Sequence, residues 1–470
     1  MRIVVGHINS KVYTKDPRAL VVVRGVCKAR PSGYQFSSKF RDGSWDGYIS
    51  LMGSYSEFPT GLLSVVLSAL KVKGYKVTVH WGDYHLESHI VFNPDILHGI
   101  HLRDYQMDAA IKLLNARRGV ARMATNSGKT EVFAAILKVL EGKQALVIVH
   151  RKELLHQTAE RLEERLGIKV GKIGDGLRQP LEVTVAMVQT LHNMMESPET
   201  QELVKGNEIV VIDECHHASS NQMMDVLFKV PGMYRYGFSG TPLKDDDLAD
   251  MKLISATGRV LVNVTNADLI AGGYSAVPTV HLHAVVSNSK DDWDEDYHSA
   301  YQKQIVDSFD RNSKIIDLAK HRSGWGDVVL ILVNRIKHGN FLSFETEGMY
   351  STGEHTTEHR QHMLSQMKKG VPGVYVATTI FDEGVDVPSI NALILAGGGK
   401  SDLKLLQRIG RGMRAKDGEN VIHIYDFIDD TNKYLLKHTE ERVDVYVKEG
   451  FEIVTDPIKT TTNKTLPGSV

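Results

Sequence analysis

The chain has 470 residues, of which 42% are hydrophobic and 24% charged, and its formal net charge at pH 7 is −1. This length is too great for a single hydrophobic core and predicts two to four domains. No apolar run approaches the ~20 residues that cross a bilayer and no signal peptide is recognisable, so we expect a cytoplasmic protein without a membrane segment. The two cysteines, Cys27 and Cys215, lie far apart in sequence, which excludes a disulfide framework and a cysteine-rich zinc site.

Residues 1–95 carry no nucleotide-binding motif and predict a small α+β domain. The first fifty residues hold nine basic side chains against three acidic ones, although the whole chain is almost neutral. Aromatic and basic side chains interleave here, and we expect Lys39, Arg41 and Trp45 to contact nucleic acid through phosphates and base stacking. The neighbouring aromatic residues, among them Phe36, could equally pack the core of the domain.

Two longer regions, residues 96–275 and 276–454, alternate short apolar strands with helical periodicity. The predicted buried strands are 120–123, 145–149, 208–212, 328–333, 374–377 and 392–395. Strands that alternate with helices indicate parallel sheets covered on both faces, hence two α/β lobes. Gly272 and Gly273 are candidate pivots between the lobes, and the polar residues 455–470 are expected to form a flexible tail.

The first lobe contains the string ATNSGKT from Ala124 to Thr130. Gly128 allows the backbone to close around phosphates, Lys129 supplies an ammonium, and the hydroxyl of Thr130 can bind Mg²⁺. A strict phosphate-loop pattern requires glycine at position 123, where this chain has Met123. The loop nevertheless follows a predicted strand and opens a helix, the setting in which backbone N–H groups converge on anions. We therefore expect ATP and Mg²⁺ as ligands.

The string DECH begins at Asp213, directly after an apolar strand. Both carboxylates should lie at the carboxyl edge of the sheet, where such sheets bind ligands. Asp213 is expected to hold Mg²⁺ and Glu214 to polarise the attacking water. A metal site formed by Cys215, His216 and His217 is the competing interpretation, but three neighbouring side chains on a strand-to-turn segment cannot all face one ion.

The string SGTP begins at Ser239, and the second lobe contains QRIGRGMR from residue 407. On a helix, Gln407, Arg411 and Arg414 share one face because they are four and three residues apart. Arginines presented to a departing γ-phosphate contribute roughly 10³- to 10⁵-fold in rate. Acidic runs at 245–247 and 291–296 are expected to be solvated loops.

These strings, in this order over residues 100–430, resemble a superfamily-two DExH-type helicase. The resemblance implies two RecA-like parallel-sheet lobes in tandem, preceded by a small α+β accessory domain. The residues implied to hold the nucleotide are Arg103, Gln106, Thr125, Asn126, Ser127, Gly128, Lys129, Thr130, Gly384 and Asp386. Those implied to contact nucleic acid are Arg151, Gln189, Thr190, Asn334, Arg335, Thr352, Gly353 and Thr378. Ser239 and Thr241 are implied to couple the ATP state to the nucleic-acid groove.

Within the superfamily the chain is similar to phage branch-migration helicases of the UvsW type and, more loosely, to XPB-like and RecG-like translocases. The strings 40–47 and 61–63 carry this similarity. It implies a monomer acting on branched or forked DNA or on single-strand/duplex junctions, in the host cytoplasm if the chain is phage-encoded. An RNA-dependent ATPase and an ATP-switched remodelling factor remain open alternatives. Residues 291–303, with Trp293 and Tyr301, are a candidate strand-separating pin or an acidic surface loop.

Overall fold

The computed structural model divides into two compact units, Met1–Thr265 and Asn266–Val470. The first unit contains the N-terminal region and one α/β lobe, and the second unit contains another α/β lobe. The residues that the structure describes are 1–53, 55–82, 92–124, 127–274, 277–285, 293–378, 390–399 and 421–455.

The N-terminal region is built on a four-stranded sheet with the order β5-β2-β1-β6. Its elements are β1 (Arg2–Val5), β2 (Asn9–Tyr13), α1 (Pro17–Val26), β3 (Lys28–Ala29), α2 (Ser38–Arg41), β4 (Ile49–Ser50), β5 (Glu57–Pro59), α3 (Leu63–Val72) and β6 (Thr78–His80). One face of the sheet packs with α1 and α3 in a core that includes Ile3, Phe58 and Leu70. The region is therefore a small α+β domain, as the sequence predicted.

The apolar run 20–23 lies inside helix α1. The side chain of Asp16 caps this helix by accepting a hydrogen bond from the backbone of Arg18, and Pro17 occupies its first turn. A run of four apolar residues does not itself distinguish a strand from a buried helical segment, and here the preceding cap decides in favour of the helix.

The first lobe has an eight-stranded sheet with the order β10-β9-β11-β8-β12-β13-β7-β14, parallel except between β9 and β10. Its strands are β7 (Arg118–Met123), β8 (Ala145–Val149), β9 (Gly171–Gly174), β10 (Leu177–Gln179), β11 (Val183–Met187), β12 (Ile209–Asp213), β13 (Tyr234–Ser239) and β14 (Val260–Val264). Its helices are α4 (Asp104–Ala116), α5 (Lys129–Val139), α6 (Lys152–Leu166), α7 (Val188–Met194), α8 (Pro198–Lys205), α9 (Asn221–Leu227) and α10 (Asp247–Ala256). Helices α7 to α10 share a core with one face of the sheet.

The N-terminal region packs against helix α10 of the first lobe. Ile254 of α10 contributes to the N-terminal core, and a Cβ atom on Gly61 would lie 2.0 Å from the carbonyl oxygen of Ile254. The backbone N–H of Ser32 donates to Asp246 Oδ2 over 3.2 Å, while Asp246 Oδ1 caps α10 by accepting from the N–H of Ala249. The expectation that residues 245–247 form only a solvated loop is therefore wrong for Asp246, because it joins two parts of the first unit.

The second lobe has a seven-stranded parallel sheet with the order β17-β18-β16-β19-β20-β15-β21. Its strands are β15 (Val277–Ala284), β16 (Val328–Leu332), β17 (Met349–Ser351), β18 (Gly373–Ala377), β19 (Ala392–Leu395), β20 (Val421–Ile428) and β21 (Glu452–Thr455). Its described helices are α11 (Asn266–Ala271), α12 (Tyr297–Tyr301), α13 (Phe309–Gly324), α14 (Ile336–Thr346), α15 (Thr357–Lys368) and α16 (Lys433–Glu449). One face packs with α13 and α14 and the other with α15 and α16.

The predicted fold class, two RecA-like lobes after a small α+β domain, is confirmed. The predicted domain boundaries at 95/96 and 275/276 stay predictions, and the division between the compact units falls ten residues before the second of them, after Thr265. Among the helices formed by described residues, none combines the length and the apolar character that crossing a bilayer requires.

Candidate nucleotide and nucleic-acid site

The phosphate loop joins strand β7 to helix α5 at the carboxyl edge of the first sheet. Gly128 caps α5 with a φ of +75°, a left-handed conformation that favours glycine. The fully buried Ser127 closes the turn, because its hydroxyl donates to the carbonyl oxygen of Ala124 over 2.6 Å. Lys129 and Thr130 form the first turn of α5, where helix N–H groups and the helix dipole favour an anion. Thr125 and Asn126 lie outside the described residues.

The segment that contains Arg103 and Gln106, two of the residues implied to hold the nucleotide, is bonded directly to this loop. Gln106 is buried, and its Nε2 donates to the carbonyl oxygen of Ser127 over 2.9 Å. Its Oε1 accepts from the backbone N–H of Arg103, also over 2.9 Å, and this bond forms half of a capping box at the start of α4. The hydroxyl of Tyr105 donates to the same Ser127 carbonyl. Residues 103–106 therefore fix the loop from one side.

The acidic pair lies on the neighbouring side of the loop. Asp213 ends β12, which is separated from β7 by β13 alone. Glu214 follows in a left-handed conformation, with φ of +51°. The ammonium of Lys129 contacts Glu214 Oε1 at 2.8 Å. Two strings that lie 85 residues apart in sequence thus meet at one edge of the sheet, where the sequence placed them.

The two carboxyl groups have different proton affinities. Burial and then the neighbouring charge of Glu214 raise the pKa of Asp213 to about 6. Burial would raise the pKa of Glu214 as well, but the positive charge of Lys129 and a hydrogen bond from His216 outweigh it and hold this pKa well below its usual range. Glu214 is therefore an ionised carboxylate at neutral pH.

Glu214 also contacts the SGTP segment. The hydroxyl of Ser239 donates to Glu214 Oε2 over 3.4 Å, and His216 Nδ1 lies 3.0 Å from the same hydroxyl. The backbone N–H of Thr241 donates to Ser239 Oγ over 3.2 Å. A hydrogen-bonded network therefore runs from the predicted catalytic carboxylate into the segment expected to couple ATP state to nucleic acid.

The histidines after Glu214 do not assemble a metal site with Cys215. Cys215 is fully buried in the apolar core, and burial raises the pKa of its thiol well above the usual value. The ring of His217 lies between the rings of His216 and His150, with centroid distances of 4.1 and 4.0 Å. Over the part of the chain that the structure describes, no group of three or more histidine, cysteine, aspartate or glutamate side chains is arranged to hold a metal ion.

The other candidates in the first lobe lie at strand ends close to this network. Arg151 is the N-cap residue of α6 and is half-buried. Gln189 and Thr190 lie in the first turn of α7, and Gln189 Nε2 donates to the carbonyl oxygen of His150 over 3.0 Å. The structure therefore brings the predicted nucleic-acid contact Gln189 against His150, the residue before the predicted contact Arg151.

Predicted nucleic-acid contacts in the second lobe lie after its strands. Arg335 is exposed at the N-terminus of α14, and its guanidinium lies 5.6 Å from the ring centroid of Tyr301. Asn334 is half-buried, and its amide donates to the carbonyl oxygen of Gly397. Thr352 is buried and Gly353 exposed after β17, and the N–H of Thr378 donates to the carbonyl of Ser351 over 3.4 Å. Gly384, Asp386, Gln407, Arg411 and Arg414 lie outside the described residues.

Three side chains hold the segment immediately before residue 400, a role that sequence reasoning did not predict for any of them. The hydroxyl of Tyr301 donates to the carbonyl of Gly397, Arg311 donates to that of Ala396, and Arg442 donates to that of Gly398. Tyr301 is almost fully buried, which contradicts its candidacy as part of an exposed pin. The sequence did contain a signal for Arg311. It lies on the apolar stripe of α13, four residues before the buried Ile315, where a charged side chain must find buried partners.

In the N-terminal region the predicted contacts Lys39 and Arg41 are exposed, while Trp45 is half-buried and donates through Nε1 to the carbonyl of Tyr48. The neighbouring aromatic residues do not belong to the domain core, since Phe36 is 71% exposed and Phe40 and Tyr48 are not members of the core cluster. Arg30 organises the cluster instead, with its guanidinium 4.5 Å from the ring of Tyr34 and 4.4 Å from that of Tyr48.

Three protein-family models match this chain in sequence order. The N-terminal model of the DNA helicase UvsW matches residues 10–80, the res subunit of type III restriction enzymes matches 99–244, and the helicase conserved C-terminal domain matches 309–416. The three matches correspond to the accessory domain and the two lobes.

Individual relatives cover most of the chain. The ATP-dependent DNA helicase uvsW of Enterobacteria phage T4 is 27% identical over 473 residues, covering 90% of this chain and 92% of that protein. The DNA 3'-5' translocase XPB2 of Sulfurisphaera tokodaii is 28% identical over 370 residues, covering 70% of this chain and 82% of that protein. A solved structure of a point variant of S. cerevisiae Dbp5 bound to RNA and ADP BeF3 matches the fold with a TM-score of 0.55 at 17% identity, covering 78% of this chain and 95% of that one. These matches confirm the resemblance to superfamily-two DExH-type helicases.

Proposed function

We propose that this protein is an ATP-dependent DNA helicase or translocase that acts on branched or forked DNA. The observation that carries the proposal is the contact between Lys129 and Glu214 at the carboxyl edge of a RecA-like sheet, since it joins the predicted phosphate-binding group to the predicted catalytic carboxylate. Similarity to a protein named as an ATP-dependent DNA helicase over 90% of the chain supports the substrate.

In this proposal the residues around the phosphate loop bind ATP. The N–H groups at the start of α5 and the ammonium of Lys129 hold the phosphates, while Gln106 reads the adenine edge beside the loop that it braces. Glu214 accepts a hydrogen bond from the attacking water, because its low pKa keeps it ionised. Gln407, Arg411 and Arg414 stabilise charge on the departing phosphate.

Thr130 and Asp213 are the residues that would hold Mg²⁺. They fit the ion, because Mg²⁺ is usually bound by one or two carboxylate or hydroxyl oxygens and completes its shell with waters and substrate phosphates. When bound, Mg²⁺ would neutralise charge on the phosphates.

The network from Glu214 to Ser239 is proposed to couple hydrolysis to DNA. Ser239 and His216 both contact the carboxylate that orients the water. The ring of His217 packs at a tilt against the rings of His216 and His150. Arg151, which follows His150 in the chain, is a predicted nucleic-acid contact. A shift of DNA at Arg151 therefore has a continuous packed route to Glu214.

DNA would be held mainly through its phosphates, with little sequence preference. The exposed Lys39 and Arg41 of the accessory domain and Arg335 of the second lobe are proposed contacts. We further propose that the protein acts as a monomer, in the host cytoplasm if it is phage-encoded, and that it prefers junctions to linear DNA.

The test is the steady-state rate of ATP hydrolysis at one fixed salt concentration, with no nucleic acid, single-stranded DNA, blunt duplex, a four-way junction and RNA. Strongest stimulation by the junction, followed by strand displacement on the same substrate, is the expected result. Stimulation by RNA alone would replace DNA by RNA as the substrate. Hydrolysis that no polynucleotide changes would contradict the motor itself, whereas stimulation without strand displacement would leave a remodelling factor.

A further inference from the structure

We propose that the open face of the N-terminal sheet is a second binding site, which takes single-stranded nucleic acid by stacking bases on tyrosines. The site consists of Arg2, Lys11, Tyr13 and Tyr55, named here the tyrosine ladder. None of these four residues belongs to the predicted contacts Lys39, Arg41 and Trp45 or to the sequence of the two lobes. The inference rests on the proposed function only for the identity of the polymer, DNA.

The four side chains alternate between cations and aromatic rings. Arg2 and Tyr13 are directly paired across strands β1 and β2, and the guanidinium carbon of Arg2 lies 4.8 Å from the centroid of the Tyr13 ring. Lys11 lies two residues before Tyr13 on the same face of β2, because side chains alternate along a strand. Its ammonium lies 6.0 Å from the Tyr13 ring and 5.9 Å from the Tyr55 ring.

The two faces of this sheet are used differently. The inner face carries the alternate residues of the same strands, Ile3 and Val12 among them, and these are buried with α1 and α3. On the outer face Tyr13 is 43% exposed, and Tyr55, in the connection before β5 and near Lys11, is 78% exposed. A tyrosine ring left in water keeps a large apolar surface that another flat ring can cover.

Charge complementarity selects an anionic partner for this face. Arg2 is exposed, and Lys11 is partly exposed. The neighbouring carboxylate, Glu57, pairs with Lys11 at 3.2 Å, with both side chains about 40% exposed. Ion pairs exposed to this degree contribute little, so a phosphate can replace the carboxylate at Lys11 with little loss.

The aromatic component selects a single strand over a duplex. In a duplex both faces of each base are stacked, and only base edges and phosphates can be reached. Unpaired bases expose their faces, and stacking on aromatic side chains between cations is the usual way in which proteins hold them. The tyrosine ladder presents both components side by side.

The first experiment locates the contact in the full-length protein. A 20-nucleotide oligo(dT) with one central 5-iododeoxyuridine is irradiated with the protein, and the crosslinked peptides are identified by mass spectrometry. We expect adducts on Tyr13 or Tyr55 that unlabelled oligo(dT) competes away and that a blunt duplex leaves in place. Adducts confined to other parts of the chain, or competed away equally by the duplex, would overturn the proposal.

The second experiment measures affinity for the same oligonucleotide by fluorescence anisotropy. The double variant Tyr13→Ala with Tyr55→Ala should weaken binding by roughly 5- to 150-fold for each stacked base lost, whereas the paired Phe substitutions should retain it. Affinity for a blunt duplex should stay within about twofold, because the duplex offers no base faces to these rings. Equal losses for duplex and single strand would contradict stacking.

A matched pair tests the cations. The test variant is Arg2→Ala with Lys11→Ala. The control is Arg24→Ala with Lys71→Ala, which removes the same charge from exposed side chains on α1 and α3. Only the first pair should weaken single-strand binding and lower its salt dependence, and equal effects would indicate general electrostatic attraction instead.

ATP hydrolysis without nucleic acid should be unchanged in all these variants. ATP hydrolysis that no polynucleotide stimulates would refute the proposed function. The crosslinking experiment would still test the tyrosine ladder, because it does not depend on ATP hydrolysis.

Discussion

Gly128→Ala should weaken ATP binding, because it should displace the Gln106 amide that holds the phosphate loop in place. The added Cβ atom would lie 2.2 Å from Gln106 Nε2 and 3.2 Å from Glu131 Oε2. Because Nε2 is the far end of a side chain, the amide can move away, but it then loses its hydrogen bond to the carbonyl of Ser127. Leaving buried polar groups without partners costs about 1–3 kcal/mol.

Backbone strain adds to this cost and can be measured separately. Gly128 has a φ of +75° and Gly142, in the same lobe, has a φ of +88°. An alanine in the left-handed region costs about 1–2 kcal/mol at either position, but a Cβ atom on Gly142 meets nothing within 4 Å. Gly142→Ala is therefore the control, and the excess destabilisation in Gly128→Ala should be about 1–3 kcal/mol.

The assay combines urea unfolding of both variants with titration of a fluorescent ATP analogue. Gly142→Ala should bind the analogue normally, whereas Gly128→Ala should lose roughly tenfold or more in affinity, the equivalent of about 1.4 kcal/mol. Equal destabilisation of the two variants, or normal nucleotide binding by Gly128→Ala, would refute the idea that Gln106 holds the loop in its binding conformation.

Three further predictions concern the two lobes. Lys129→Ala should reduce ATP hydrolysis to background, and phosphate release at the normal rate would remove the motor assignment. Arg414→Ala should retain nucleotide affinity and lose roughly 10³-fold or more in hydrolysis, so an equal loss of affinity would contradict its expected role. Arg442→Met breaks a buried ion pair with Asp426 and should cost about 3–5 kcal/mol in unfolding free energy, whereas Lys433→Met, at an exposed pair, should cost about 1 kcal/mol or less.

The strands and the site edge were predictable because they depend on local pattern. An apolar run that ends on charged or glycine-rich residues marks both a buried strand and its carboxyl end, so the meeting of Lys129 with Glu214 follows from parallel topology. The family, the fold class and the activity were identified for the same reason, since the motifs lie at these strand ends in a fixed order.

The remaining features depend on tertiary packing that a linear pattern does not contain. Arg311 and Arg442 are fully buried because carboxylates and carbonyl groups distant in sequence satisfy them. Tyr301 looked like an exposed aromatic residue in an acidic stretch, but it is buried beside Leu435 of α16. The contact between Gly61 and α10 joins residues almost 200 positions apart, and no local periodicity signals it.

That contact ties the accessory domain to the segment after Ser239. Strand β13 ends at Ser239, which contacts Glu214, and the chain then continues into α10, where the carbonyl of Ile254 packs against Gly61. A Cβ atom 2.0 Å from a backbone oxygen cannot be accommodated by side-chain movement, so Gly61→Ala should displace the domain from α10 and destabilise the first unit by about 1–3 kcal/mol.

If the docking serves coupling, Gly61→Ala should also lower the stimulation of ATP hydrolysis by branched DNA while leaving the rate without DNA unchanged. Gly25→Ala is the matched control, because Gly25 lies within α1 of the same domain and its Cβ atom would meet nothing within 4 Å. Alanine there should leave stimulation intact and stabilise the helix by about 0.5–1 kcal/mol. Loss of stability in Gly61→Ala with full stimulation would mean that the contact only holds the domain in place. Loss of both would make α10 the connection through which DNA bound by the accessory domain acts on Ser239 and Glu214.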